Sequence, residues 1–205
     1  MSEAEPEEGS AEPGPSPVAE KPRLPWLEVF VDIPNFEIGL RGLGWPDKVR
    51  YTQLGRELAP VLPGGPFFLK KVWCFAAVRG FDAATGTGAL SNDRNVSHLR
   101  AIRDTSGGLG ELVLSHRMSD DREKGVDVNL AAWMMEGACD DRFQTALLLS
   151  NDSDFSGLCR RIRARGTGVI FGYVDRQFFD NDHLRQAVSC GYNLNRTLIQ
   201  KCAHR

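Results

Sequence analysis

The sequence predicts an α/β domain with a mainly parallel sheet and helices on both of its faces. From Pro25 onward, short apolar runs rich in β-branched and aromatic residues alternate with stretches of helical period, as they do in such folds. The chain has 205 residues, of which 41% are hydrophobic, so it is long enough to bury a sizeable core. Since it contains no internal repeat, one globular domain with appendages is favoured over a coiled coil or a repeat protein.

Five strands are predicted, and they are, in chain order, WLEVFVD (26–32), FFLKKVWCFAAV (67–78), ELVLSHR (111–117), TALLLS (145–150) and GVIFGYV (168–174). Helices are predicted near 47–60, 92–104, 125–137, 154–165 and 180–190. Pro46 and Asp47 are typical of a helix start, and Pro60 ends the first helix. The segment RGFDAATGTGALSNDRN (79–95) is too polar for either period and predicts a long loop, either a plain surface connection or a functional one.

The first 25 residues, MSEAEPEEGSAEPGPSPVAEKPRLP, differ in composition from the rest. They contain six glutamates against Lys21 and Arg23, together with many Pro, Ser and Gly residues. Such a segment has too few apolar side chains to offset the entropy cost of ordering. We therefore predict a disordered acidic Pro/Glu-rich tail over 1–25 and a folded domain over 26–205.

Charge and hydropathy exclude few functions. The formal net charge is −2, which neither requires nor excludes nucleic acid, because phosphate binding depends on a local basic face. The acidic N-terminus lacks the features of a secretory signal, and no apolar run approaches the roughly 18 residues of a membrane span. These features predict a soluble, cytoplasmic protein with no membrane partner, and they do not exclude a homo-oligomer. The five cysteines include no C-x-x-C pair, which argues against a disulfide framework or a structural zinc site and predicts buried free thiols.

Four aspartates fall where an open α/β sheet binds its ligands, beyond the carboxyl ends of the strands. Asp32 ends the first strand, and Asp152 and Asp154 follow the fourth. Asp127 lies in the first turn of the helix predicted near 125–137. Carboxylates brought together repel one another unless a cation neutralises them, and all-oxygen ligation indicates Mg²⁺ or Mn²⁺. A second interpretation, compatible with the first, is that Asp152 or Asp154 caps the following helix.

Three blocks of the sequence carry a family resemblance: FVDIPNF (30–36), KGVDVNLA (124–131) and LLLSNDSDFSGLCRRIRARGTGVIFG (147–172). They resemble, in order and approximate spacing, the blocks of the NYN-domain family, PIN-like metal-dependent ribonucleases that include the LabA-like proteins. The resemblance implies a PIN-like (Rossmann-like) three-layer sandwich. It also implies a divalent-metal-dependent endoribonuclease that acts on single-stranded or structured RNA and leaves 5′-phosphate and 3′-hydroxyl ends.

Carried over position by position, the resemblance implies that the catalytic and metal-binding acids are Asp32, Asp127, Asp152 and Asp154. It implies substrate-binding roles for Asn35, Lys124 and Ser150. The chain departs from the family pattern at Ile33-Pro34 and Asn151, where a glycine is usual, and at Trp133, where an outer acid is often found.

The helix predicted over 154–165 is rich in arginine. Arg160, Arg161, Arg163 and Arg165 spread around its polar side, and a solvated face is the default interpretation. Those near the helix start, Arg160 in particular, are candidates for contacts with phosphates beside the site. Trp73, Phe75 and Trp133 each lie in an apolar period and are predicted to be core residues rather than base-stacking platforms.

Two other functions stay open at this stage. A non-catalytic RNA-binding or regulatory module with the same fold is consistent with the missing acid at Trp133. A phosphatase of the haloacid dehalogenase type also places a nucleophilic Asp at the end of its first strand, with an acid two residues later. Because Pro34 stands at that second position, the phosphatase is the weaker alternative.

Overall fold

The computed structural model describes residues 23–79, 81–82, 87–88, 99, 101–102, 107–117, 123–150, 152–175 and 182–204. Most of the predicted tail and most of the helix predicted near 92–104 lie outside these ranges, as does Asn151. Of that helix, Leu99, Ala101 and Ile102 are described, and they are helical.

Seven strands form one sheet in the order β6-β5-β2-β1-β7-β8-β9. Their bounds are β1 Trp26–Asp32, β2 Phe68–Arg79, β5 Gly110–Arg117, β6 Glu123–Lys124, β7 Thr145–Leu149, β8 Gly168–Tyr173 and β9 Cys190–Asn193. All neighbouring pairs are parallel except β5 and β6, which are antiparallel. Two further pieces, β3 Phe81–Asp82 and β4 Thr87–Gly88, pair as a separate antiparallel ribbon.

Helices cover both faces of this sheet. Their bounds are α1 Ile33–Gly42, α2 Tyr51–Leu58, α3 Val126–Cys139, α4 Ser156–Ala164, α5 Asp182–Ala187 and α6 Arg196–Cys202, and a 3₁₀ turn, Ser153–Phe155, precedes α4. No helix within the described ranges combines the length and the apolar character needed to cross a bilayer.

The central strand β1 shows how the layers are joined. Leu27, Val29 and Val31 belong to a buried cluster that also contains residues of α1, α2 and α6. Phe30 points to the opposite face and belongs to a second buried cluster, with residues of α3, α4 and α5. A strand buried on both faces needs a nearly continuous apolar sequence, which explains the run WLEVFVD. The predicted three-layer α/β architecture is confirmed.

The predicted strands are confirmed to within one residue at each end. The helices were predicted less accurately. The first predicted helix starts too early, because α2 begins only at Tyr51. Residues 45–48 are irregular: Asp47 accepts a bond from Arg41, and Val49 bridges to Ala203. The predicted loop over 79–95 contains β3 and β4. Helix α1, strand β9 and helix α6 were not predicted.

The strand order creates a topological switch point between β1 and β7. From β1 the chain proceeds to β2 and β5 on one side, whereas β7, β8 and β9 extend the sheet on the other. Connections therefore leave β1 and β7 in opposite directions and open a crevice at their carboxyl ends. This is where open α/β sheets bind their ligands.

The cysteines give a direct solution test of this fold. Cys74, Cys159 and Cys202 are buried and Cys190 is half-buried, but Cys139 is exposed, so the prediction that the thiols are buried is wrong at Cys139. Burial raises the pKa of Cys159 to about 12 and that of Cys202 to about 11, which leaves almost no thiolate at about pH 8. We expect one thiol of the native protein to react rapidly with a disulfide reagent, and Cys139→Ser to remove that fast phase. Rapid reaction of several thiols in the native state would contradict the fold.

Candidate functional site

Asp32 lies at the carboxyl end of β1 and caps α1. Its carboxylate accepts hydrogen bonds from the Asn35 backbone N–H at 3.4 Å and from Asn35 Nδ2 at 2.7 Å. Pro34 fits this turn because the first positions of a helix need no intrahelical N–H donor. Ile33 and Pro34, which stand where the family usually has a glycine, thus form the start of α1.

Ser150 connects Asp32 to the strand on the other side of the switch point. Its hydroxyl donates to Asp32 Oδ2 at 3.0 Å and accepts the backbone N–H of Asp152 at 3.1 Å. Ser150 is fully buried and Asp32 is 1% exposed. The serine therefore fixes the distance between the end of β1 and the acidic turn after β7.

The electrostatic environment of Asp32 disfavours its charged form. Burial is the largest cause acting on the pKa of Asp32 and raises it; the hydrogen bonds from Asn35 and Ser150 lower this pKa, which nevertheless stays above its ordinary value. The neighbouring charge of Asp152 raises this pKa further. A cation placed between the two carboxylates would relieve both the repulsion and part of the desolvation penalty.

Asp152 and Asp154 form the turn that leads into α4. Asp152 Oδ1 accepts the Asp154 backbone N–H at 2.8 Å, so Asp152 caps the 3₁₀ turn. The predicted capping role is confirmed for Asp152. It uses one oxygen only, and Oδ2 accepts no hydrogen bond from the described residues. Asp154 is exposed.

Asp127 reaches the same place from another element. Gly125, at φ 81°, has a left-handed backbone that a side chain would strain, and it turns the chain from β6 into α3. Asp127 follows in the first turn of α3, where a carboxylate interacts favourably with the helix dipole. The glycine in KGVD thus directs an exposed carboxylate toward the crevice.

One cleft of about 180 Å³ brings these acids together. Its lining residues are Asp127, Val128, Ala131, Asp152, Asp154, Phe155 and Leu158. Asp32 is not among them; it is buried and bonded to Ser150. Three acids therefore face one opening, and the fourth is connected to Asp152 through the hydroxyl of Ser150.

The donor atoms of the cleft suit a hard divalent cation that takes only some of its ligands from the protein. Every candidate donor in the cleft is a carboxylate oxygen, which suits Mg²⁺ or Mn²⁺. Within the part of the chain that the structure describes, no three side chains of His, Cys, Asp or Glu form a metal group on their own. This is compatible with Mg²⁺, which keeps several waters and takes one or two carboxylates plus substrate phosphates.

The four predicted substrate-binding residues do not lie together in the structure. Asn35 and Ser150 contact Asp32, and their binding of substrate stays a prediction. Lys124 ends β6, where it pairs with His116 just before Gly125, and its side chain lies outside the described residues. Arg160 is exposed on α4 and does not line the cleft.

Trp133, at the position of the often-present outer acid, is half-buried and packs against the core. Its ring meets Trp73 edge to face at a centroid distance of 6.3 Å, and its carbonyl accepts a bond from Arg142 Nη2 at 3.0 Å. Trp73 and Phe75 are buried, so the prediction that they are core residues is confirmed, whereas Trp133 is half-buried and packs against the same cluster. An aromatic pair therefore occupies the place of an outer carboxylate.

Sequence reasoning missed the apolar wall of the cleft. Val128, which directly follows Asp127, is an apolar side chain that is 65% exposed. Ala131, Phe155 and Leu158 complete this wall. A valine directly beside a candidate catalytic acid, in the first turn of a largely apolar helix, was the available signal.

Comparisons with known proteins agree with this description. The sequence profile of the NYN domain matches residues 27–192. A protein of unknown function from Vibrio parahaemolyticus has a similar structure, with a TM-score of 0.62 and 20% identity over 86% of this chain and 96% of that one. A proposed oxidoreductase from Parabacteroides merdae matches with a TM-score of 0.33 and 11% identity over 84% of this chain and 32% of that one. The first likeness concerns the fold alone, and the second is too weak to support an argument. No curated protein matches the chain.

Proposed function

The chain belongs to the NYN-domain family of PIN-like nucleases, and from this premise we propose that it is a divalent-metal-dependent endoribonuclease. Its products carry 5′-phosphate and 3′-hydroxyl ends. The observation that carries the proposal is the cleft at the switch point, where Asp127, Asp152 and Asp154 face one opening. An acidic cleft repels an RNA phosphate unless a cation lies between them, so the arrangement is suited to metal-assisted hydrolysis rather than to simple binding.

Each acid has a distinct role in this proposal. Asp152 offers its free Oδ2 to the cation, and its Oδ1 keeps the turn in place. Asp127 and Asp154 are exposed, and they would help to hold the cation and would orient the attacking water. When bound, the divalent cation supplies polarisation of a phosphodiester oxygen and a lower pKa for a water.

Asp32 is the fourth acid of the proposed cluster. Buried at the switch point, it receives hydrogen bonds from Asn35 and Ser150 and presents negative charge toward Asp152. Asn35 and Ser150 act as positioning residues in this proposal. They hold the Asp32 carboxylate so that it does not rotate away from the cation.

The apolar wall supports an unpaired substrate segment. Val128 and Leu158 offer an apolar surface beside the acids, which the face of a splayed base can contact. In a duplex the bases are stacked inside, so this wall would have no partner there. Single-stranded RNA, or an unpaired segment of structured RNA, is therefore the proposed substrate.

The first test is metal dependence. Labelled single-stranded RNA is incubated with the full chain and Mn²⁺, Mg²⁺ or excess chelator, and the end groups of the products are determined. We expect cleavage with either metal and at least about a 100-fold lower rate with chelator, because the developing phosphate charge then faces uncompensated carboxylates. Cleavage that persists at full rate in chelator would overturn the metal-dependent mechanism. Binding of several RNAs without cleavage would favour the RNA-binding module.

A further inference from the structure

The arginines of α4 divide between two sides of the helix. Arg160, Arg161, Arg163 and Arg165 are all exposed, on or just after α4. At about 100° per residue, Arg160 and Arg163 share one side of the buried face, whereas Arg161 and Arg165 share the other. The buried face itself is marked by Cys159 and Ile162.

Contacts identify what each side faces. Arg163 Nη1 donates to the Gln186 carbonyl of α5 at 3.1 Å, so the side with Arg160 and Arg163 lies toward α5. Leu158 stands three residues before Arg161 and lines the acidic cleft opposite Ala131 of α3. The side with Arg161 and Arg165 therefore lies toward α3.

The groove between α3 and α4 begins at the acids. Both helices start at the carboxyl edge of the sheet, α3 near Asp127 and α4 just after Asp154, so they run from the cleft in the same direction. The facing side of α3 continues from Ala131 to Met135, which is uncharged and only half-buried. One bank of the groove is therefore apolar, and the other is basic.

The basic bank has no electrostatic partner within the described residues. Neither Arg161 nor Arg165 forms an ion pair there. They stand four residues apart on one helix, a spacing at which like charges repel. The helix dipole favours cations at the carboxyl end of α4, but it favours both sides equally. A polyanion bound in the groove would offset the repulsion between Arg161 and Arg165.

We infer that Arg161 and Arg165 bind the RNA phosphates next to the one that is cut, as the strand leaves the cleft along the α3–α4 groove. The inference rests on the proposed function. Arg161 lies about 4.5 Å along the helix axis from Leu158, and Arg165 about 6 Å further. Arg160, which the sequence singled out for phosphate contact, lies on the other side and has no part in this binding surface. Guanidinium groups suit the role because they bind phosphate oxygens in pairs.

The test compares two double variants of the full chain that remove the same charge. Arg161→Gln/Arg165→Gln alters the groove side, and Arg160→Gln/Arg163→Gln alters the α5 side. Affinity for a short labelled single-stranded RNA is measured in chelator, which prevents cleavage, at several salt concentrations between about 50 and 200 mM. Circular dichroism and melting curves establish that both variants are folded.

We expect the groove-side variant to bind about five- to tenfold more weakly than wild type. The slope of log affinity against log salt concentration should fall in magnitude by about 1.4, or about 0.7 for each lost phosphate contact. The α5-side variant should differ from wild type by less than about twofold. Equal losses in the two variants, or a larger loss on the α5 side, would overturn the inference and leave the proposed function intact. Failure of the wild type to bind the RNA in chelator would overturn the inference alone, whereas failure to bind it together with failure to cut it in Mg²⁺ or Mn²⁺ would overturn both.

Discussion

Asp152→Asn is expected to lower the rate of metal-dependent RNA cleavage by at least about 100-fold and to leave the protein folded. The substitution removes the charge beside the cleft that interacts with Asp32, and with it the proposed direct ligand of the cation. A loss of about 100-fold corresponds to about 2.7 kcal/mol of transition-state stabilisation, a usual scale for one preorganised electrostatic contact. The amide oxygen can still accept the Asp154 N–H, so the turn should be retained.

A matched control comes from the other end of α3. Asp140 is exposed and follows the last residue of that helix, about 20 Å along its axis from Asp127. Asp140→Asn makes the same change of charge and should retain wild-type cleavage. RNA affinity in chelator should be unchanged or higher in Asp152→Asn, because a repulsive charge has been removed. Equal cleavage by Asp152→Asn and wild type would place the active centre elsewhere or indicate a contaminating nuclease.

Strand ends and helical periodicity were sufficient to place the four acids. The runs WLEVFVD and TALLLS are local patterns that end within one residue of their strands, so the positions of Asp32 and Asp152 could be predicted. The apolar spacing after Gly125 likewise predicted that Asp127 lies in the first turn of a helix. These features depend on neighbouring residues only.

The way in which the acids are assembled depends on contacts distant in sequence. The bond from Ser150 to Asp32 joins residues 118 positions apart, and it exists because β1 and β7 are neighbours in the sheet. Nothing in either run specifies that neighbour. For the same reason, the helical wheel placed the four arginines of α4 around its surface but could not say which side faces α3.

The unpredicted helix α1 had a local signal that went unused. Pro34 lies in its first turn, Asp32 caps it, and Phe36 and Leu40 recur at helical spacing on its buried side. Helix α1 follows β1 without an intervening loop. The DIPN segment therefore both begins a helix and supplies a residue of the candidate site. Asp32 performs both functions, as a capping acceptor and as a buried carboxylate.

Asp32→Asn is expected to stabilise the metal-free protein while it abolishes cleavage. Burial and the charge of Asp152 raise the pKa of Asp32, so its ionised form is held at a cost to folding. An asparagine can place its amide oxygen at the Oδ2 position and retain both short bonds, from Asn35 Nδ2 and Ser150 Oγ, and it loses only the longer bond from the Asn35 backbone N–H at 3.4 Å. We expect an increase in Tm of a few degrees at neutral pH, the scale of a stabilising change of about 1 kcal/mol.

The pH dependence of this gain follows from the direction of the pKa shift. Well below the ordinary Asp value of 3.8 the carboxyl group is protonated in both folded and unfolded wild type, so the variant gains nothing. As the pH rises above that value, the unfolded state ionises first and wild-type stability falls; the fall is complete once the pH exceeds the higher folded pKa. The Tm difference between variant and wild type should therefore be small at about pH 3 or below and reach a plateau toward neutrality. Asp154→Asn, which alters an exposed acid, is the matched control and should show little gain.

Added Mg²⁺ or Mn²⁺ tests whether the destabilising charge of Asp32 takes part in cation binding. If the repulsion between Asp32 and Asp152 exists to hold a cation, the metal should raise the Tm of wild type, since a ligand that binds only the folded state stabilises it. The Asp32→Asn variant should gain less, and its advantage should shrink or reverse at saturating metal. A constant Tm difference with and without metal would mean that Asp32 has no part in cation binding. A variant less stable than wild type at neutral pH would mean that the hydrogen bonds from Asn35 and Ser150 outweigh the burial of its charge.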